Sequence, residues 1–243
     1  MLEPLQIALL AATALVASVL SALTGTGGGV LLLPVMVLLF GVRDGVPMYA
    51  VAQLIGNLSR VGLNWTDIRR EVVLWFALGA VPTAILGAWL FTQTPESVLT
   101  RLLGGFLLLS VAGQRLMRAR MRDGFPVPWF TPIGAVFAFV SALMGSAGPF
   151  LAPFYLAFGL VKGAYIGTEA LGTAVMHVVK LVTYHQGDAL SATAVLTGLG
   201  LGPIMLLGAI LGKRLLARIS AVHFVWMVEA VLVVFGLLFL IRG

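Results

Sequence analysis

The sequence predicts an all-α integral membrane protein made of two related halves. Of its 243 residues, 60% are hydrophobic and only 10% are charged, and the mean hydropathy is +1.07. A soluble domain carries about 25% charged residues, so most of this chain is expected to lie in lipid. The apolar segments are long and lack the alternating pattern of a transmembrane β-barrel, which predicts that the membrane spans are helices.

A glycine-rich motif occurs once in each half. Ser21–Pro34 reads SALTGTGGGVLLLP, and 120 residues later Ser141–Phe154 reads SALMGSAGPFLAPF. Glycine costs about 1 kcal/mol relative to alanine in a helix interior, so each motif is expected to interrupt its helix. Non-helical backbone at membrane depth is tolerated only where it is buried in protein or lines a cavity. The two motifs are therefore predicted to form the centre of the molecule.

Hydropathy breaks and turn residues divide the chain into ten apolar segments. Five lie in a first transmembrane repeat at 1–118 and five in a second at 129–243, and the polar stretch 119–128 is a cytoplasmic linker between them. Segments 30–40 and 150–160 are too short to cross a bilayer, which needs about 20 helical residues. Each is therefore predicted to be the second arm of a broken helix or of a re-entrant hairpin. The ten segments are 5–24, 30–40, 46–64, 72–91, 98–117, 129–144, 150–160, 164–185, 191–211 and 221–241.

Loop charge predicts how the two halves are oriented. Basic residues at 69–70, 115–122 and 213–218 are expected to face the cytoplasm, whereas the links 92–97 and 186–190 contain no Lys or Arg and are expected outside. These assignments agree only if the two halves have opposite topology, with both termini outside. Such inverted repeats are common in secondary transporters, whose binding sites lie near the bilayer midplane.

The third segment of each half carries a polar stripe along one helix face. The stripe of the first half is Tyr49, Gln53, Asn57, Arg60 and Asn64, and that of the second is Glu169, Thr173, His177, Lys180 and Tyr184. The neutral members fit an interhelical hydrogen-bond seam equally well. Snorkelling to the interface is an alternative for either cation. Arg60 and Lys180 nevertheless hold equivalent positions, which favours an anion pathway because ionisable groups inside a membrane are usually functional.

The glycine motifs fit the same interpretation. A helix that begins after GTGGG or GSAGP directs free N–H groups and the positive end of its dipole toward the break, and Thr and Ser hydroxyls add donors. Close packing of helices by small residues is the alternative. The predicted substrate-binding residues are Thr24, Gly25, Thr26, Gly27, Gly28, Gly29, Asn57, Arg60, Gly145, Ser146, Ala147, Gly148, His177 and Lys180.

Three ionisable residues in the apolar segments are candidates for proton coupling, namely Glu169, His177 and Glu229. An unpaired charge at the middle of a bilayer costs about 3 kcal/mol or more, so either glutamate also fits the role of a counter-ion to Arg60 or Lys180. The imidazole titrates near neutral pH, which suits proton transfer, but an intramembrane histidine is as often only a hydrogen-bond partner.

Several classes of function are excluded or disfavoured. The chain has no cysteine, which excludes disulfides, thiolate metal sites and a cysteine nucleophile. HExxH and GxSxG motifs are lacking, so we expect no enzyme, and the sequence indicates no metal and no cofactor. The net charge of +6 resides in short loops, where the positive-inside rule explains it without a nucleic-acid partner.

Four stretches of the sequence form a pattern shared with a known family. They are GTGGGVLLLP at 25–34, FGV at 40–42, GSAGPFLAPFYL at 145–156 and TEALGTAVMHVVKLVTY at 168–184. On these stretches, and over nearly its whole length, the chain resembles the sulfite exporter TauE/SafE family. The resemblance implies a multi-pass permease of the bacterial inner membrane that carries sulfite, organosulfonates or related anions, often by export. Ala147 and Pro149 replace small or glycine residues of the first motif, so the two breaks need not have symmetric roles.

Two functions stay open from the sequence. The first is a secondary transporter that binds a small sulfur-containing oxyanion between the two glycine-rich breaks and works by alternating access. The alternative is an anion channel with the same pathway. No nucleotide-binding motif is present, so energy would come from protons or from the anion's own gradient. The expected partners are the anion and the lipid bilayer, and a homodimer is left open.

Overall fold

The computed structural model describes residues 3–24, 29–120, 124–215 and 233–242. Within these ranges every regular element is helical and no strand occurs. Five of the described helices are long and apolar enough to cross a membrane. The predicted all-α membrane architecture is therefore confirmed.

Ten α-helices account for most of the described residues and match most of the predicted segments. Of the predicted segment 221–241, residues 221–232 lie outside the described residues. Segments 30–40 and 46–64 both fall in α2, and the predicted segment 191–211 is divided into α8 and α9 just before Pro203, where the residue preceding a proline is disfavoured in a helix. The helices are α1 Pro4–Thr24, α2 Leu32–Leu63, α3 Arg70–Gln93, α4 Glu96–Arg120, α5 Phe130–Met144, α6 Ala152–Ala157, α7 Lys162–Gln186, α8 Ala192–Gly200, α9 Gly202–Leu215 and α10 Val233–Arg242.

Helix α2 consists of two arms joined at Gly41. This residue has φ +78° and ψ 168°, a conformation that glycine adopts readily and other residues rarely do. The first arm, 32–40, is only about 13 Å long at about 1.5 Å per residue. It is therefore less than half the thickness of the hydrocarbon core, which is about 30 Å.

Helix α5 ends in a comparable break. Gly145 follows its last residue with φ +90°, and the chain resumes with the single 3-10 turn Gly148–Phe150 and the six-residue helix α6. A Cβ atom on Gly145 would also lie 2.9 Å from Leu33 Cδ1. The break in the second half thus packs directly against the first arm of α2.

Contacts between loops define the two ends of the helix bundle. At one end, which we call the basic end, the ammonium of Lys213 in the last turn of α9 donates to the Leu63 carbonyl at the end of α2. At the opposite end, Arg43 donates to the Thr92 carbonyl at 3.2 Å, and a Cβ atom on Gly187 would meet Thr92 Cγ2 at 2.6 Å. The two links predicted to be outside therefore meet at one end, and that the basic end faces the cytoplasm stays a prediction.

Corresponding helices of the two halves run in opposite directions. Helix α3 runs from Arg70 near the basic end to Gln93 at the opposite end. Its counterpart, α8 with α9, begins where Ser191 Oγ donates to Asp44 Oδ1 at 2.7 Å and finishes at Lys213 at the basic end. This antiparallel course is the arrangement that an inverted repeat requires.

Helix α1 with the first arm of α2, and helix α5 with α6, each turn back toward the end from which they start. Helix α1 runs parallel to α9, because Gly208 lies against Ser18 and Gly212 against Val19, so α1 starts at the opposite end, and the first arm of α2 returns there to Arg43. Helix α5 runs parallel to α3, because Gly79 lies against Thr131 and Gly87 against Phe139, so α5 starts at the basic end. Helix α6 returns there, where the Gly124 N–H donates to the Ala157 carbonyl at 2.9 Å. Segments 30–40 and 150–160 therefore re-enter rather than cross.

Glycines bring the backbones of α3 and α5 into direct contact. A Cβ atom on Gly79 would lie 1.9 Å from the Thr131 carbonyl oxygen, and one on Gly134 would lie 2.2 Å from the Phe76 carbonyl oxygen. Membrane helices associate largely through such close small-residue contacts. This contact joins the first half to the second.

We expect Gly79→Ala to destabilise the protein by about 1–3 kcal/mol, because the added methyl group overlaps backbone rather than a movable side chain. The measurement is the melting temperature in detergent. Gly105→Ala is the matched control, since nothing lies within 4 Å of a Cβ atom at that helical glycine and alanine favours a helix by about 1 kcal/mol. Equal melting temperatures for the two variants would contradict the backbone contact.

Candidate functional site

The two polar stripes face each other across a narrow cavity in the middle of the molecule. The second arm of α2 and helix α7 pack together and enclose about 30 Å³, which is room for about two water molecules. We call this space the central cavity. Its polar side chains are Ser21, Tyr49, Gln53, Asn57, Arg60, Ser141, Ser146, Glu169, Thr173 and His177.

Arg60 and Glu169 form a buried ion pair that joins the two halves. Arg60 Nη1 lies 3.2 Å from Glu169 Oε2, and the two side chains are only 5% and 3% exposed. Nη1 also donates to the Ser21 carbonyl at 3.4 Å, and Nη2 donates to Asn57 Oδ1. Removing a charge from water costs several kcal/mol unless a partner compensates it. Arg60 therefore does not snorkel, and Glu169 acts as its counter-ion.

Lys180 is held by the end of a helix instead of by a carboxylate. Its Nζ donates to the Gly145 carbonyl at 2.9 Å and to both the carbonyl and the hydroxyl oxygen of Ser141 at 3.2 Å. The carbonyls at a helix C-terminus carry partial negative charge and stabilise a cation. An ammonium group has three donors, and these contacts occupy all of them. Lys180 is thus fully buried outside the lining of the central cavity, where it fixes the break that forms the cavity wall.

The two cations nevertheless occupy equivalent places. Arg60 donates to the carbonyl of Ser21, and Lys180 donates to the carbonyl of Ser141. Each serine opens the glycine-rich motif of its own half. The cation on the third segment therefore binds the end of the first helix in both halves.

Two side chains of the first stripe occupy the space beside Gly29, where another residue would have its Cβ atom. A Cβ atom on Gly29 would lie 2.2 Å from Gln53 Nε2 and 3.0 Å from Tyr49 Oη, and Tyr49 Oη donates to Ser146 Oγ at 3.3 Å. Within the part of the chain that the structure describes, the buried atoms Gln53 Nε2 and His177 Nδ1 have no hydrogen-bond partner, and both residues line the central cavity. Buried polar groups are rarely left unpaired, so these two atoms indicate a site for a polar ligand.

Most of the predicted substrate-binding residues that the structure describes lie together around the central cavity. Thr24 is described by its backbone alone, and Gly25, Thr26, Gly27, Gly28 and Glu229 lie outside the described residues. Of the proton-coupling candidates, Glu169 and His177 line the central cavity. Eight predicted substrate-binding residues also line it, namely Gly29, Asn57, Arg60, Gly145, Ser146, Ala147, Gly148 and His177.

The predicted site omits several polar residues that line the cavity. Tyr49, Gln53 and Thr173 belong to the two stripes, but their neutral side chains fit a packing seam as well as a site. Ser21 and Ser141 are the first residues of the two glycine-rich motifs. Their equivalent positions in the repeat are the feature of the sequence that could have identified them as site residues. Their role depends on carbonyl contacts, which the sequence does not display.

The charge balance of the cavity defines what it can bind. Among the described residues, one cation, Arg60, and one carboxylate, Glu169, line it, and the other polar side chains there are hydroxyl, amide and imidazole groups. An oxyanion that replaced Glu169 beside Arg60 would meet these groups as hydrogen-bond partners. Among the described residues, no group of three or more Asp, Glu or His side chains is placed to hold a metal ion.

Comparison with known proteins gives one family. The model of the family described as Sulfite exporter TauE/SafE matches residues 10–239 of the chain. No curated protein and no solved structure matches the chain.

We expect Arg60→Gln and Glu169→Gln each to destabilise the protein by about 3–5 kcal/mol, because each leaves the other charge buried without its partner. The double variant has no such charge, so its loss of stability should be clearly smaller than the sum of the two single losses. Unfolding of all four proteins in a denaturing detergent measures the coupling. Additive losses would contradict a direct interaction between these side chains.

Proposed function

Because this chain belongs to the sulfite exporter TauE/SafE family, we propose that it exports a small sulfur-containing oxyanion, such as sulfite or an organosulfonate, through the central cavity. The family and the apolar helices make it a multi-pass membrane transporter. The observation that carries the proposal is the guanidinium of Arg60, buried in a cavity to which both halves contribute. Intramembrane cations are costly and mark substrate pathways.

Arg60 supplies the charge that an oxyanion needs. Its planar fork of N–H donors matches the oxygens of an oxyanion in a way that the point charge of a lysine does not. Among the described residues, Gln53 Nε2 and His177 Nδ1 have no hydrogen-bond partner, so they are available to the same ligand. The anion therefore competes with Glu169 for Arg60 and takes its place.

The size of the cavity favours a carrier over the alternative, an anion channel. About 30 Å³ holds about two waters, so an anion enters only when side chains or breaks move. The antiparallel course of corresponding helices supports an inverted repeat, and relative movement of such repeats gives alternating access. In this scheme Lys180 is a positioning residue, since it holds the break at Gly145.

Glu169 gives the transporter a route to proton coupling. When an anion displaces Glu169 from Arg60, its carboxylate becomes neutral by taking up a proton, because an unpaired charge inside the membrane is costly. Among the described ionisable groups, Arg60, Tyr49 and Tyr155 are those that interact with Glu169. One proton would thus accompany each monovalent anion.

The membrane setting follows from the same proposal. We place the protein in the bacterial inner membrane, with the basic end in the cytoplasm and both termini outside, since basic loops are retained on the cytoplasmic side. The chain acts as a permease and not as an enzyme, and a homodimer is compatible with this role.

We expect Arg60→Gln to reduce sulfite or methanesulfonate flux in proteoliposomes at least tenfold, because the cavity loses its cation. Arg101→Gln, at an exposed position on α4, is the matched control and should transport normally. Arg60→Lys should fall between the two, since it keeps the charge and loses the fork. Undiminished flux through folded Arg60→Gln would refute the proposal, and current that rises with voltage without saturating would favour the channel.

The same liposomes test the coupling when they contain a pH-sensitive dye. Wild-type protein should move protons with the anion, whereas Glu169→Gln should move the anion without protons. Proton movement that survives in Glu169→Gln would assign the coupling to another group.

A further inference from the structure

A second cavity lies between the central cavity and the basic end. It encloses about 210 Å³, several times the volume of the central cavity, and we call it the vestibule. Its lining includes Arg60, Asn64, Asp67, Gly163, Ala209 and Lys213. These residues come from the end of α2, the turn after it, the start of α7 and the end of α9.

Of the described charged residues, Arg60 is the one that lines both cavities. On the central side its guanidinium pairs with Glu169. On the vestibule side, Asn64 Nδ2 donates to the Arg60 carbonyl at 2.8 Å and closes the last turn of α2. The Arg60–Glu169 pair therefore stands at the boundary between the vestibule and the central cavity.

The charges of the vestibule favour an anion. Lys213 is exposed, and its Nζ donates to the Leu63 carbonyl. The single ion pair in the described ranges is the one between Arg60 and Glu169, so Lys213 has no carboxylate partner there. An oxyanion in the vestibule would thus lie between Lys213 and Arg60.

The carboxylate of Asp67 also lines the vestibule, but its electrostatic partner is the start of α7 and not Lys213. A Cβ atom on Gly163 would lie 2.3 Å from Asp67 Oδ2, so this carboxylate is seated over the first turn of α7. The N-terminus of a helix carries partial positive charge and stabilises a carboxylate. Asp67 therefore leaves the charge of Lys213 available to a ligand.

We propose that the vestibule is a second anion site, in which a small oxyanion binds Lys213 before it reaches the central cavity. The Arg60–Glu169 pair is the gate between the two sites. When the pair opens, Arg60 accepts the anion from the vestibule side and carries it to the central side. This inference rests on the proposed function for the nature of the ligand.

Cysteine labelling tests the site directly, because the chain has no cysteine of its own. Ala209→Cys places a thiol in the vestibule, where Ala209 is 1% exposed. Thr66→Cys, in the exposed turn after α2, marks the side of the membrane from which the vestibule opens. Ala84→Cys is a buried control that lines neither cavity. The probe is 2-sulfonatoethyl methanethiosulfonate, an anionic thiol reagent, applied to membrane vesicles.

The expected result separates the three positions. The Ala209→Cys variant is labelled from the same side as the Thr66→Cys variant, and methanesulfonate slows its labelling at least threefold. Labelling of the Thr66→Cys variant does not respond to methanesulfonate, and the Ala84→Cys variant is not labelled. An unreactive Ala209→Cys, or one that methanesulfonate does not protect, overturns the vestibule site. Ala22→Cys, at another position in the lining, replaces it if the first variant fails to fold.

Labelling of a cysteine in the central cavity tests whether the Arg60–Glu169 pair is a gate. Ser146→Cys should be labelled slowly in the wild-type background and at least tenfold faster when Glu169→Gln is added. The Ala209→Cys variant should be labelled at the same rate in both backgrounds. Equal rates for Ser146→Cys with and without Glu169→Gln overturn the gate.

Flux through the wild-type protein keeps the two proposals distinct. Transport without protected labelling of the vestibule overturns the second site alone. Protected labelling without transport supports the second site and overturns the transport function.

Discussion

Two cations buried in an apolar helix bundle determine how the rest of this structure must be arranged. An isolated charge at membrane depth is too costly to keep, so both Arg60 and Lys180 need partners inside the protein. Arg60 obtains a carboxylate from the other half, at 3.2 Å, and Lys180 obtains carbonyls at the end of α5. The glycine-rich break at Gly145 makes such carbonyls available. Cation, break and re-entrant arm therefore depend on one another.

The same arrangement connects packing to function. Glycines at 79 and 134 bring α3 against the backbone of α5, and α1 packs on α9 in the other unit, so each re-entrant unit rests on a helix of the opposite half. The central cavity that results is small and polar, and its described lining is balanced in charge. In the transport cycle that we propose, an anion binds there by taking Arg60 from Glu169. Competition for one guanidinium would then link occupation of the site to movement of the two halves and to the protonation of Glu169.

Much of the fold and part of the candidate site could be predicted from the sequence. Hydropathy defined the segments, and the spacing of the stripes placed Arg60 and Glu169 each on the polar face of its own helix. Segment length could not distinguish re-entry from crossing, because a short arm fits either, and the packing of α1 on α9 decides it. The sequence also puts Lys180 on the stripe, whereas its long side chain reaches carbonyls outside the cavity. Gln53 was not among the predicted site residues because its contact with Gly29 exists only in the folded protein.

Binding of a sulfur oxyanion at Arg60 is the central claim of this account, and thermal unfolding of the purified protein tests it most directly. Sulfite, methanesulfonate, sulfate, thiosulfate, acetate and chloride would be compared as sodium salts at equal ionic strength. A ligand present at 100 times its dissociation constant stabilises the native state by about 2.7 kcal/mol, which raises the melting temperature by several degrees. The account predicts such a rise for sulfite or methanesulfonate but not for chloride, and its loss in Arg60→Gln. An equal rise in wild type and Arg60→Gln, or none with any sulfur oxyanion, would contradict it.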